Sequence, residues 1–154
     1  MQIRLMTNKE DPCFTQIFEQ NYQLWYAQEN WSKKKTFVYM EQSLQTVCLP
    51  ITIVAERENK LLGTCQLAMN DLDVRPQYYP WLINLSVVPT SQGQGIAKQI
   101  ILRAIDEAKR LQFHSLYLYT EHVGLFEQFG FEFLEVVEIE PDTKNFVRVY
   151  KKNL

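Results

Sequence analysis

The sequence predicts an α/β fold in one domain, and three features predict it. Residues 51–88 hold three successive strand patterns, residues 96–111 form a long amphipathic helix behind a glycine-bearing turn, and residues 133–152 close as a hairpin. Together with a short strand at the amino end and one more between the last helices, this makes six to seven strands.

Residues 3–6 read as the first strand. Asp11 followed by Pro12 is a helix start, an N-cap acceptor and a residue whose fixed φ suits the first helical position. Phe14, Ile17, Phe18, Tyr22 and Trp25 then recur at helical spacing, giving one apolar stripe through to about residue 28. Residues 35–45 carry a second, shorter helix pattern, although Thr36, Phe37, Val38 and Tyr39 have an equal claim to a strand. Residues 51–57 and 61–69 form an antiparallel hairpin around Glu58 and Asn59, and residues 70–80, with Pro76 and Pro80, form a loop. Trp81, Ile83, Leu85 and Val87 alternate with Leu82, Asn84, Ser86 and Val88 as a strand ended by Pro89.

Beyond the loop at 90–94, Ile96, Ala97, Ile100, Ile101, Ala104, Ile105, Ala108 and Leu111 lie on one helical face, with Lys98, Gln99, Arg103, Asp106, Glu107 and Arg110 on the other. Residues 115–120 are a strand with Leu116 and Leu118 on one side and Tyr117 and Tyr119 on the other. Residues 123–129 read as a short helix closed by Gly130, and residues 133–140 and 146–152 as the closing hairpin.

Composition narrows the function classes. Sixteen basic residues stand against 18 acidic ones, a net charge of -2, which disfavours nucleic acid as a partner because a broad phosphate footprint needs a basic surplus. Cys13, Cys48 and Cys65 are an odd, scattered set without a Cys-x-x-Cys pair, so neither a disulfide framework nor a metal centre is expected. No apolar run approaches the roughly 18 residues of a membrane span, and the first ten residues are polar where a signal peptide is apolar. The expectation is a cytoplasmic protein, monomer or homodimer, away from membranes.

The chemistry sits at Val87-Val88-Pro89-Thr90-Ser91-Gln92-Gly93-Gln94-Gly95-Ile96-Ala97: strand, glycine turn, long helix. A helix start has unpaired N–H groups and a partial positive charge, and glycines let an anion approach the backbone without meeting a Cβ. A dinucleotide fingerprint fails because Lys98 stands at the third glycine position and several residues separate strand from first glycine. A P-loop fails because Ile96 and Ala97 follow Gly95 where lysine and Ser/Thr are needed.

Gln92-x-x-Gly95-x-Ala97 resembles the Gln/Arg-x-x-Gly-x-Gly/Ala acyl-CoA signature of the GNAT (GCN5-related) N-acetyltransferases, here after a strand ending Val87-Val88-Pro89 and before a long amphipathic helix. Leu125-Phe126-Glu127-Gln128-Phe129-Gly130-Phe131 resembles a second signature of that family, at the right separation. The resemblance implies a mixed, mostly antiparallel sheet with helices on both faces and a splayed parallel strand pair formed by residues 81–87 and 115–120. It implies that acetyl-CoA lies in that opening. Backbone groups of Leu85, Ser86 and Val87 would pair with the pantetheine arm, and N–H groups of Gly93, Gln94, Gly95, Ile96, Ala97 and Lys98 would hold the pyrophosphate, Lys98 adding a charge-assisted contact. No metal is implied.

Acetyl transfer to an amine requires the amine to be neutral, against an ordinary pKa of about 10.4, and is best served when a backbone N–H near Leu85 to Val87 meets the developing oxyanion. Phe126 stands where many relatives carry a tyrosine acid, so Tyr119 is the replacement to test, with Tyr117 behind it. The strand 81–88 holds no carboxylate, which leaves His122 and Glu121 beyond the next strand as candidate bases. His114 lies at the opposite end. Acceptor recognition is expected from the first helices, the loop 70–80 and the final hairpin: Asp71 and Asp73 to attract a cationic amine, Tyr78, Tyr79 and Trp81 either to flank it or to pack the loop, and Trp25, Tyr26 and Trp31 with the same two roles open. The function implied is N-acetyl transfer to a primary amine of a small molecule or peptide by direct attack in a ternary complex. The alternative is a non-catalytic acyl-CoA-binding sensor.

Overall fold

The computed structural model describes all 154 residues. Its seven strands are β1 (Gln2–Leu5), β2 (Ile51–Arg57), β3 (Lys60–Ala68), β4 (Trp81–Val87), β5 (Ser115–Thr120), β6 (Glu132–Glu138) and β7 (Phe146–Asn153), ordered β1-β2-β3-β4-β5-β7-β6 in one sheet. Every neighbouring pair is antiparallel except β4 with β5. This is the mixed, mostly antiparallel sheet expected.

Alternation along β2 explains the two layers. Ile51, Ile53 and Ala55 face α3 (Ile96–Arg110), whose buried Ile96, Ile100, Ile101, Ala104, Ile105 and Ala108 form the predicted apolar face. Val54 points the other way, into a core with Cys13, Phe14, Ile17 and Phe18 of α1 (Pro12–Asn21) and Met40 of α2 (Lys33–Glu41). A close approach holds α3 down: a Cβ on Gly63 of β3 would lie 2.8 Å from Ile100 Cδ1 and 2.8 Å from the Ser86 carbonyl, so only glycine fits.

The helices differ from expectation in informative ways. Asp11 caps α1, accepting from the Cys13 N–H at 2.9 Å, but the regular helix stops at Asn21 and passes into a π-helical turn over Tyr22–Tyr26. The extra residue in that turn shifts the helical phase, so Tyr26 becomes buried and Leu24 stays on the surface. The segment 35–45 is a helix, beginning earlier, where Ser32 accepts from the Lys35 N–H at 3.0 Å, and ending at Glu41; Thr36 and Met40, four apart, form its buried edge. The helix expected at 123–129 is a single 3-10 turn, Phe126–Phe129, ended by Gly130 at φ 85°. Phe126 is buried there and Phe129 half-buried against the same core, which is too little to hold a longer helix.

β4 and β5 meet at one register position, Trp81 with Tyr117, where the Tyr117 N–H donates to the Pro80 carbonyl at 2.9 Å; beyond it they diverge. The divergence follows from a bulge. Gln66 pairs with Ile83 and Thr64 with Ser86, so β4 spends one more residue than β3 over that interval, and Asn84 sits there at φ 53°.

Candidate active site

The strand divergence opens a cleft of about 920 Å³. One wall is β4, with Leu82 to Val87; the opposite wall is Leu118, Tyr119 and Thr120 of β5 with His122, Leu125 and Phe126 beyond it; Ala97 of α3 closes the inner end. At the outer end lie Asp71, Asp73 and Glu29 among the rings of Trp25, Tyr26, Trp31 and Tyr39. A second, smaller depression of about 580 Å³ lies where Gln20, Gln23, Leu24 and Trp25 face Leu85, Ser86, Val87 and Gln92. Leu85, Ser86 and Val87 therefore border both spaces.

At the turn before α3, Gly93 and Gly95 have φ 75° and 74°, and a Cβ on either would meet nothing within 4 Å. They are needed for backbone conformation and leave the space in front of the helix open. None of the six backbone N–H groups of Gly93, Gln94, Gly95, Ile96, Ala97 and Lys98 donates within the chain, and no side chain caps the helix. Six adjacent free donors at the positive end of a 15-residue helix form a cradle that could receive an anion. Gln92 folds back, its Nε2 donating to the Val87 carbonyl at 3.2 Å, which ties the turn to the end of β4. Lys98 is exposed beside the cradle.

The bulge is held by a buried polar chain that sequence reasoning did not find. Asn84 Nδ2 donates to Tyr26 Oη at 2.8 Å and to Gln66 Oε1 at 2.7 Å; Gln66 Nε2 in turn donates to Thr52 Oγ1 at 3.0 Å and Ser43 Oγ at 3.2 Å. Its only sequence signal is Asn84 and Gln66 at inward positions of otherwise apolar strands. Burial pushes the Tyr26 hydroxyl well above its ordinary range, against the Asn84 hydrogen bond, which lowers it.

Tyr119 stands half-buried in the cleft wall, where burial, then Asp71 and Glu29, raise its hydroxyl well above the ordinary phenol, so it stays protonated at neutral pH. Tyr117 is more buried, stacked on Tyr78 at 4.8 Å, and is absent from the cleft wall. His122 is exposed at the cleft rim, its backbone N–H donating to Thr120 Oγ1 at 3.0 Å; Glu121 does not line the cleft, and His114 is exposed at the far end. Phe126 packs edge-on against Phe131 at 6.0 Å and offers the cleft only carbon.

Asp71 keeps some contact with solvent yet is walled in on most sides, and its carboxyl is pushed up to about 7, first by burial and then by Glu29 and Asp73. It accepts no hydrogen bond within the chain, while Asp73 accepts from Asn70 Nδ2 at 2.7 Å. A carboxyl poised near neutrality beside a cleft can take a proton from an amine. Of the aromatic residues expected around the acceptor, Trp25, Tyr26 and Trp31 line the cleft, whereas Tyr78, Tyr79 and Trp81 do not. Trp81 is core, Tyr78 donates to Glu135 Oε2 at 2.6 Å, and Tyr79 lies on the surface. The final hairpin does not reach the cleft either.

The model of the acetyltransferase (GNAT) family matches residues 8–131, and the chain belongs to that family. A search of curated protein sequences returned no match. The structure is similar to that of an aminoglycoside 6'-N-acetyltransferase complexed with coenzyme A (TM-score 0.77, 14% identity, covering 99% of this chain and 97% of that one). It is also similar to a ribosomal-protein-alanine N-acetyltransferase from Brucella melitensis (0.75, 18%, 100% of each chain) and to a putative acetyltransferase from Salmonella typhimurium with its cofactor acetyl-CoA (0.74, 17%, 100% and 94%). At such identities the likeness is one of fold, and the first two are named for unrelated acceptors.

Proposed function

We propose that the protein transfers acetyl from acetyl-CoA to a primary amine of a small molecule or peptide, by direct attack within a ternary complex. The observation that carries this is one continuous cleft running between the β4 backbone and Ala97 at the start of α3 at one end, beside the anion cradle, and a carboxyl near neutral pKa among aromatic rings at the other. The acetyl-CoA-bound and CoA-bound family neighbours support the donor.

In this reading the N–H groups from Gly93 to Lys98 hold the pyrophosphate, and Leu85, Ser86 and Val87 align the pantetheine arm. Asp71 takes a proton from the ammonium. The neutral nitrogen attacks the thioester carbon, the C–N bond forms, and a β4 backbone N–H beside the Asn84 bulge meets the oxyanion. The C–S bond breaks as the Tyr119 hydroxyl passes the second nitrogen proton on to the leaving thiolate, giving its own proton to sulfur and taking the one from nitrogen, so that amide, neutral thiol and neutral tyrosine result. His122, at the rim, is a second proton acceptor. The thiolate leaves readily because a thiol has a pKa of about 8.5, so the acid is the more dispensable role.

Phe126 in the cleft wall favours a second reading, an acyl-CoA-binding sensor without turnover. Calorimetric titration with acetyl-CoA followed by a CoA-release assay over an amine panel separates the two. Binding with release supports the transferase, and binding without release across the panel supports the sensor.

A further inference from the structure

The cleft's outer end has an unbalanced charge. Glu29, Asp71 and Asp73 line it, no lysine or arginine does, and none of the three takes part in any of the chain's ion pairs. The rings beside them form a closed set: Tyr26 and Trp31 centroids are 4.7 Å apart, Trp31 and Tyr39 5.5 Å, Tyr26 and Tyr39 6.0 Å. Trp31 already presents a face to one ammonium, the Lys35 Nζ at 3.8 Å from its centroid. Carboxylates and rings thus meet at a space whose lining holds no lysine or arginine, Lys35 standing on one face of Trp31.

Resting on the N-acetyltransferase reading, we infer that the acceptor is a small amine carrying a second, non-reacting cationic nitrogen, held by Glu29 and Asp73 beside the packed rings of Tyr26, Trp31 and Tyr39. Proton balance separates this from a plain monoamine. The attacking nitrogen must shed its proton before the C–N bond forms, so a monoamine is neutral when it reacts and no longer attracts the exposed carboxylates of Glu29 and Asp73 at the cleft's end. A second ammonium or guanidinium, untouched by the reaction, keeps them paired throughout. The carboxylates repel an acidic peptide, and the aromatic walls suit a cation on an aliphatic stem.

The test measures CoA release and, separately, calorimetric binding to the CoA-loaded protein, using 1,4-diaminobutane, agmatine, n-butylamine and 2-phenylethylamine. Expected is a kcat/KM for the two dications about 100-fold or more above that of butylamine, falling with added salt. Glu29→Gln should narrow the dication-to-monoamine ratio by about tenfold through KM; Glu29 makes no internal hydrogen bond, so folding does not depend on it. Equal turnover of diamine and monoamine, or preference for phenylethylamine, overturns the inference and leaves amine acetylation standing. Tighter calorimetric binding of the dications with no CoA release removes the transferase reading and with it the inference about an acceptor, leaving only a cation-binding cleft. No binding preference and no release overturns both.

Discussion

Trp81 and Tyr117 form the one register pair that joins β4 to β5, and their rings meet again at 5.7 Å on the sheet face. Everything past this pair diverges, so it is the hinge of the cleft. Trp81 is fully buried, its Nε1–H donates to the Tyr78 carbonyl at 2.7 Å, and its ring also touches Tyr119 at 6.2 Å. Trp81→Ala removes a large buried ring and leaves the Tyr78 carbonyl without that donor. The expected loss is about 3–5 kcal/mol in urea unfolding. Because Tyr119 rests on Trp81, acetyl-CoA affinity should fall as well, in protein that remains folded.

Gly95→Asp tests the anion cradle. At φ 74° any β-carbon carries strain of about 1–2 kcal/mol, less for Asn and Asp, which adopt this conformation more readily. Gly95→Asn therefore reproduces the shape without the charge. Acetyl-CoA binding by calorimetry should weaken about 100-fold or more in the aspartate variant and far less in the asparagine variant, with thermal melts within a few degrees of one another. Equal weakening in both would mean that shape, and not charge, governs the site.

Asp71 supplies a pH prediction with a definite sign. Its carboxyl is raised from 3.8 to about 7 in the folded chain, so the folded state binds the extra proton between those values. Stability is therefore greatest below about pH 4 as far as this group is concerned, declines as pH rises towards 7, and is lost fully above it. Asp71→Asn should raise stability at pH 8 by about 1–2 kcal/mol, because partial solvent contact discounts the roughly 4 kcal/mol of a fully expressed displacement. Activity should move oppositely. The wild-type kcat/KM is expected to climb through about pH 7, and Asp71→Asn to lower it by about 10²–10⁴ while flattening that rise. An unchanged pH profile would remove Asp71 as the base.

Tyr119 and His122 are separable by their surroundings. The Tyr119 hydroxyl is held protonated in the cleft wall, so Tyr119→Phe should lower kcat about tenfold or more with acetyl-CoA affinity unchanged. His122 lies exposed at the rim, and His122→Ala should alter kcat by no more than about threefold if Asp71 is the base. The reverse ranking would return the base role to His122.

The sheet and α3 were legible because period-2 and period-3.6 patterns are written by burial, and β2 to β5 and α3 are buried on at least one face throughout. The turn before α3 was legible too, since φ above zero favours glycine at 93 and 95. The acidic end of the cleft is half legible: Asp71 and Asp73 stand out in the loop 70–80, but Glu29 follows the π turn after α1 and Tyr39 comes from α2, and a one-residue helical defect leaves no periodic trace. The 3-10 turn at Phe126 was overextended for a similar reason, since four residues of apolar character do not distinguish one turn from two.

Asn84 joins these levels, since its backbone makes the β4 bulge and its side chain satisfies both Tyr26 and Gln66. Two substitutions separate the contributions. Asn84→Gly keeps φ 53° accessible and loses only the two hydrogen bonds, one of them to the fully buried Gln66; Asn84→Ala adds the strain of a β-carbon in the left-handed region. The glycine variant should lose about 1–3 kcal/mol and the alanine variant about 1 kcal/mol more. If the bulge positions the β4 N–H against the thioester, the alanine variant, which also presses the chain towards regular strand, should lower kcat more than the glycine variant at equal acetyl-CoA affinity. Identical kinetics in the two, together with wild-type kcat, would confine Asn84 to stability and detach the bulge from the reaction.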